Sequence, residues 1–139
     1  MDISYLATPF LAWLITGTMK FIVNSVRARR LAFDLIGYGG MPSNHSAIVT
    51  SMAVLIVLKE GVSHPAFGVA ITVAFIVMLD ANSLRRQLGR HAETVNRLAK
   101  VSSDLQLKPL RERVGHTMPE ILAGIASGTF AAVLVYYLI

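Results

Sequence analysis

Residues 121–139 read Ile121-Leu122-Ala123-Gly124-Ile125-Ala126-Ser127-Gly128-Thr129-Phe130-Ala131-Ala132-Val133-Leu134-Val135-Tyr136-Tyr137-Leu138-Ile139, nineteen residues without a charge. A straight bilayer crossing wants about 20 apolar residues, with about 17 as the usual minimum, so this run predicts a membrane helix. Working outward, three more uncharged runs stand at Ile3 to Met19, Ser46 to Leu58 and Pro65 to Leu79, of 17, 13 and 15 residues. The first is long enough to cross. The middle two need extension into neighbouring polar residues that face protein, local bilayer thinning, or packing against another subunit. Gly61, His64 and Pro65 between them mark a tight turn and hence an antiparallel hairpin.

Composition agrees. Of the 139 residues, 54% are hydrophobic and only 15% charged, with a mean hydropathy of +0.58, too apolar for a soluble domain that must present a wet surface. The length suits one domain, residues 1–139, with no second folding unit. There are no cysteines, which excludes disulfides and thiolate metal sites. The run after Met1-Asp2 has no basic residue ahead of it and ends in Met19-Lys20, which is unlike a removable signal peptide. The expected architecture is an all-α integral membrane helical bundle with about four spans plus one amphipathic interfacial helix.

A net charge of +5 would suggest nucleic acid if it covered a soluble surface, but the basic residues cluster, so no nucleic-acid partner is expected. If all four runs cross, residues 20–45 and 80–120 lie on one side, and together they hold twelve of the thirteen lysines and arginines. The positive-inside rule then puts that face in the cytoplasm and both termini on the opposite side. Leu84, Leu88, His91, Val95 and Leu98 repeat at helical spacing opposite Arg86, Arg90, Glu93 and Arg97. They predict an amphipathic helix on the membrane surface or capping the bundle. Ser102, Ser103, Asp104 and Pro109 read as a loop.

All of the candidate chemistry falls on the basic face. Met41-Pro42-Ser43-Asn44-His45-Ser46 follows Gly37, Gly39 and Gly40 and opens an apolar helix. Ser43 or Asn44 can cap it, its free N–H groups suit a phosphate, and His45 could donate a proton to a leaving oxygen. A capped helix with a tolerated interfacial histidine is the structural alternative. Arg113-Val114-Gly115-His116-Thr117-Met118-Pro119-Glu120 opens another membrane helix. His116 could attack phosphorus through one ring nitrogen while Glu120, four residues on, holds the proton of the other. The competing reading is a capping box between Thr117 and Glu120, with Pro119 in the first turn. Lys20 and Arg27, two turns apart on one helix face, could hold phosphate or anchor topology. Asp80-Ala81-Asn82-Ser83-Leu84-Arg85-Arg86 offers an ion pair, a phosphate clamp or half of a metal site. His64 and His91 are left out of the site.

Together these stretches resemble the type 2 phosphatidic acid phosphatase superfamily, which shares its core with vanadium haloperoxidases. Lys20 and Arg27 match the spacing of its first motif, with Ala28 where the family has proline. Pro42, Ser43 and His45 match the second, with Asn44 for glycine. His116 and Glu120 match the end of the third, with glutamate for aspartate, while Arg111 lies one residue too close and Leu110 takes the arginine's place. The chain is more similar to a divergent branch of small bacterial and plastid proteins, through residues 40–46, 80–96 and 115–124. The resemblance implies a membrane phosphoric monoester hydrolase acting on a lipid phosphate or diphosphate, of phosphatidate, phosphatidylglycerophosphate or prenyl phosphate type. It needs no metal or other cofactor. His116 would become the phosphohistidine, Glu120 would orient it, and His45 would be the general acid. Lys20, Arg27 and Ser43 would bind phosphate. Beyond the matched positions, Asn44 shares the Ser43 turn, and the need for a third-motif cation makes Arg85 or Arg86 the candidate substitute, with Asp80 behind them.

Two alternatives follow. One is a non-catalytic membrane protein binding an anionic lipid headgroup or phosphate in the same basic cleft; the other makes Asp80, His45, His116 and Glu120 ligands of a divalent ion. Gly124, Ala126, Ser127 and Gly128 suit close helix contact and suggest a homo-oligomer in membrane lipid.

Overall fold

In the computed structural model, which describes residues 3–33, 40–101, 108–112 and 114–139, the regular elements are all helical. Gly37, Gly39, the loop residues Ser102, Ser103 and Asp104, and Arg113 lie outside the described residues. The elements are α1 (Ser4–Ala28), α2 (Asn44–Glu60), α3 (Pro65–Leu79), a π-helical turn (Asp80–Leu84), α4 (Arg85–Val101) and α5 (Met118–Leu138).

Three helices are long and apolar enough to cross a bilayer: Ser4–Ala28, Met118–Leu138 and the unbroken run Pro65–Val101. The fourth, α2, is shorter at 17 residues. Its composition follows from its place, because α2 packs against α1, α3 and α5. Its buried residues include Ser46, Thr50 and Ser51: Ser46 Oγ donates to Ser43 Oγ and Ser51 Oγ to the Ile48 carbonyl, while Thr50 Oγ1 has no hydrogen-bond partner among the described residues.

The bundle is packed with short side chains inside and bulky apolar ones outside. On α1 the buried stripe is Ser4, Thr8, Ala12 and Thr16, while Leu6, Phe10, Trp13 and Leu14 are exposed. Spacing of four puts each set on one helix face. Thr16 Oγ1 and Ser127 Oγ lie 3.2 Å apart across α1 and α5. A Cβ on Gly124 or Gly128 would collide with the carbonyl oxygens of Ser43 and Ala47, so α5 lies backbone to backbone on α2. These glycines therefore make their close contact within one chain.

The hairpin between α2 and α3 forms as the sequence predicts. Gly61 takes φ +84°, His64 Nδ1 accepts from Ala66 N–H at 3.2 Å, and Pro65 occupies the first turn of α3. The amphipathic segment is helical, as expected. It continues α3 through the π turn, and its buried face is Gly89, Ala92 and Asn96. Leu84, Leu88, Val95 and Leu98 point away from the protein, so they do not cap the bundle. The reason lies in the return loop: Asn96 Nδ2 donates to the Leu110 carbonyl at 2.8 Å and Leu110 N–H donates to Asn96 Oδ1 at 2.8 Å. Gly89 meanwhile lets the Glu112 carbonyl come close.

Candidate active site

The bundle end bearing the site is formed by the lower part of α1, the starts of α2 and α5, and the junction of α3 with α4. Ser43 caps α2, its Oγ accepting from Ser46 N–H at 3.3 Å and from Ser46 Oγ at 3.0 Å. Ser43 N–H donates to the Glu120 carbonyl at 2.9 Å, which fastens the start of α2 to the start of α5. Ser43 is fully buried, so its hydroxyl serves the helix and does not reach a cavity.

Gly115 holds a φ of +101°, and a Cβ there would press on Arg86 N and Arg85 Cβ; only glycine adopts this backbone without strain. The turn lets His116 N–H donate to the Ala81 carbonyl at 2.9 Å. The third-motif loop is thereby tied to the π turn, which carries Arg85 and Arg86 beside the histidine.

His116 Nδ1 lies 3.1 Å from Glu120 Oε2, and the same oxygen accepts Thr117 N–H at 3.0 Å. The two readings of Glu120 are thus satisfied by one atom, since the carboxylate caps α5 and also fixes the imidazole. Nδ1 is the protonated nitrogen, leaving the Nε2 lone pair free. Burial lowers the His116 pKa below the ordinary imidazole range; the Glu120 hydrogen bond opposes that shift without cancelling it, and the Lys20 charge adds to it.

Two cavities meet at His116. The smaller, about 300 Å3, is lined by Trp13, Lys20, Asn44, His45, Ile48 and Arg85 together with a wall of Arg111, Val114, Gly115 and His116. The His45 and His116 rings are neighbours there, their centroids 6.1 Å apart and their planes tilted by 55°. Arg85 donates to His45 Nε2 at 3.3 Å and is held from behind by Asp80 at 3.6 Å. His45 Nδ1 and Asn44 Oδ1 are buried without a hydrogen-bond partner among the described residues. The larger cavity, about 780 Å3, shares the same wall and adds Arg27, Arg86, Arg90, Glu112 and Glu120.

The structure therefore brings Lys20, Asn44, His45, Arg85 and His116 together and places Arg27 and Arg86 on the far side of His116. Asp80 supports Arg85 and lines neither cavity. Among the described residues no three of His, Asp and Glu converge as metal ligands, so Asp80, His45, His116 and Glu120 do not form a donor cluster. Sequence reasoning missed Arg90, Arg111 and Trp13. Arg111 had a signal, lying one residue from the arginine position of the third motif. Arg90 and Trp13 had none.

Helices that cross a bilayer, with polar chemistry gathered at one end, define an integral membrane protein. The chain belongs to the divergent PAP2 family, whose description matches residues 1–131. It is 31% identical over 150 residues to the Bacillus subtilis (strain 168) "Uncharacterized membrane protein YuiD", covering 97% of this chain and 92% of the relative. No solved structure matches it.

Proposed function

We propose that this protein is a membrane phosphatase that hydrolyses a lipid phosphate or diphosphate through a phosphohistidine at His116, with the site facing the cytoplasm. The observation that carries the reading is the smaller cavity, where an oriented neutral imidazole neighbours a second imidazole between Lys20 and Arg85. Phosphoryl transfer asks for little covalent chemistry from a protein. It needs a placed nucleophile, cations around the nonbridging oxygens and a proton for the leaving group.

The phosphate sits between the two rings. His116 Nε2 attacks phosphorus as the bond to the lipid oxygen breaks, and His45, as imidazolium, passes its proton to that oxygen to give the alcohol, or the monophosphate from a diphosphate. In the ligand-free geometry Arg85 donates to His45 Nε2 and opposes a charge there. An incoming phosphate dianion draws Arg85 to itself and favours the imidazolium. Water then attacks the phosphohistidine, His45 takes its proton, the N–P bond breaks and phosphate departs. Glu120 steadies the positive charge His116 acquires on the way. Trp13 and Ile48 give the cavity an apolar side toward the bilayer, where an acyl or prenyl tail stays.

Purified protein in mixed micelles is expected to release phosphate from at least one of phosphatidate, phosphatidylglycerophosphate and prenyl phosphates or diphosphates. His116→Ala should lose at least about a thousandfold in rate, the scale on which loss of a nucleophile registers. Silence across that panel, or full activity in the variant, would sink the reading. The Arg85 contact with His45 favours one other reading, a non-catalytic anion binder, for which lipid phosphate binds without turnover.

A further inference from the structure

The larger cavity has more positive charge than the proposed reaction uses. Four arginines, Arg27, Arg86, Arg90 and Arg111, line it against two carboxylates, Glu112 and Glu120. Both carboxylates are engaged, Glu112 Oε1 by Asn96 Nδ2 at 2.9 Å and Glu120 by His116 and Thr117. Among the described residues no ion pair joins Arg27, Arg86 or Arg90 to a carboxylate. Arg27, Arg86 and Arg90 thus face this cavity with no carboxylate partner among the described residues, a setting suited to a phosphate group, which carries about −1.5 to −2 at neutral pH.

This chamber is not where the proposed chemistry occurs. His45, Lys20 and Arg85 line only the smaller cavity, and Glu120 only the larger. Glu120 takes the Nδ1 side of His116, so the attacking nitrogen and the leaving oxygen belong to the smaller one. We propose that the larger chamber is a second phosphate site, adjoining the first where both are lined by Arg111, Val114, Gly115 and His116. The proposal rests on the smaller chamber being the reaction site. The second phosphate comes from one of two sources, a further phosphate on the same lipid or inorganic phosphate on its way out after the phosphohistidine is hydrolysed.

The test is calorimetric titration of inorganic phosphate into the full chain in detergent micelles, for the wild type, Arg86→Gln/Arg90→Gln and Lys20→Gln/His45→Gln. Arg86 and Arg90 are exposed, so their replacement leaves the fold intact. Two sites are expected in the wild type and one in each double variant, the affected site weakening at least about tenfold because charge-assisted hydrogen bonds are lost. A single wild-type site abolished by Arg86→Gln/Arg90→Gln would support the second site while counting against phosphate in the smaller chamber. A single site abolished by Lys20→Gln/His45→Gln alone, one site abolished by either, or no binding at all would overturn the proposal. Kinetics then separate the sources. A rise in KM for a prenyl diphosphate but not a prenyl monophosphate in Arg86→Gln/Arg90→Gln assigns the site to the substrate. Weaker inhibition by inorganic phosphate at unchanged KM assigns it to the product, and no change in either overturns the proposal.

Discussion

Burial holds the His116 pKa below the usual value near 6.5, which favours the neutral imidazole. Its Nε2 lone pair is therefore available above that lowered pKa and is lost as the ring protonates below it. Modification of His116 by diethyl pyrocarbonate, followed by mass spectrometry in a chain with His45, His64 and His91 changed to Gln, should rise with pH to a plateau whose midpoint lies below about 6.5. A midpoint at or above that value would show the burial argument wrong. Stability carries the same sign: the unfolded chain takes the proton first, so stability present above about pH 6.5 declines as pH falls through it. At this scale the two histidines and Glu120 were legible, because short polar turns opening apolar helices stand out and the family resemblance gives them roles. Arg90 was not, and Arg111 only through its near miss of the third motif, since what brings the return loop against α4 is the hydrogen bonding of Asn96 to Leu110, a contact between residues 14 apart.

The helices were legible wherever a run without charges meets a capping residue. Ser43 before α2, His64-Pro65 before α3 and Thr117 before α5 all begin helices as read. What the sequence hid was the join of α3 to α4. Hydropathy falls sharply at Asp80, which reads as an end, yet the backbone continues through a widened turn whose N–H from Arg85 returns to the Asp80 carbonyl. The short length of α2 also has its explanation at this scale, in neighbours that shield it from lipid. The seam between α2 and α5 is tight enough to test. Gly128→Leu should force α5 away from Ala47 and lower stability by about 1–3 kcal/mol. It would be read as a fall in Tm in detergent and as lost turnover, because the Ser43–Glu120 link lies on the same seam, one turn from Ala47 along α2 and about two turns from Gly128 along α5. Phe130→Leu, on the exposed face of the same helix, should leave Tm nearly unchanged. Equal effects from the two would contradict the packing described.

For the molecule as a whole, α1 and α5 begin and end so that the site lies at one end and the Tyr5–Glu60 and Ser4–Lys59 contacts, at 2.6 Å each, lie at the other. The absence of cysteine makes orientation directly measurable. Single cysteines placed at Ser63 and Lys108 should react with an impermeant maleimide from opposite sides of intact cells, Ser63→Cys from outside and Lys108→Cys only after permeabilisation. Labelling of both from one side would reject the topology. The helix Pro65–Val101 adds a consequence of its own. At about 1.5 Å per residue, its 37 residues extend about 55 Å against a hydrocarbon layer of about 30 Å. One rod thus has its apolar half set in the bilayer and its other half studded with Arg85, Arg86 and Arg90, which serve both chambers. In a bilayer these cations would stand on a mast footed in lipid, and membrane thickness would be one of the quantities that fix where they stand.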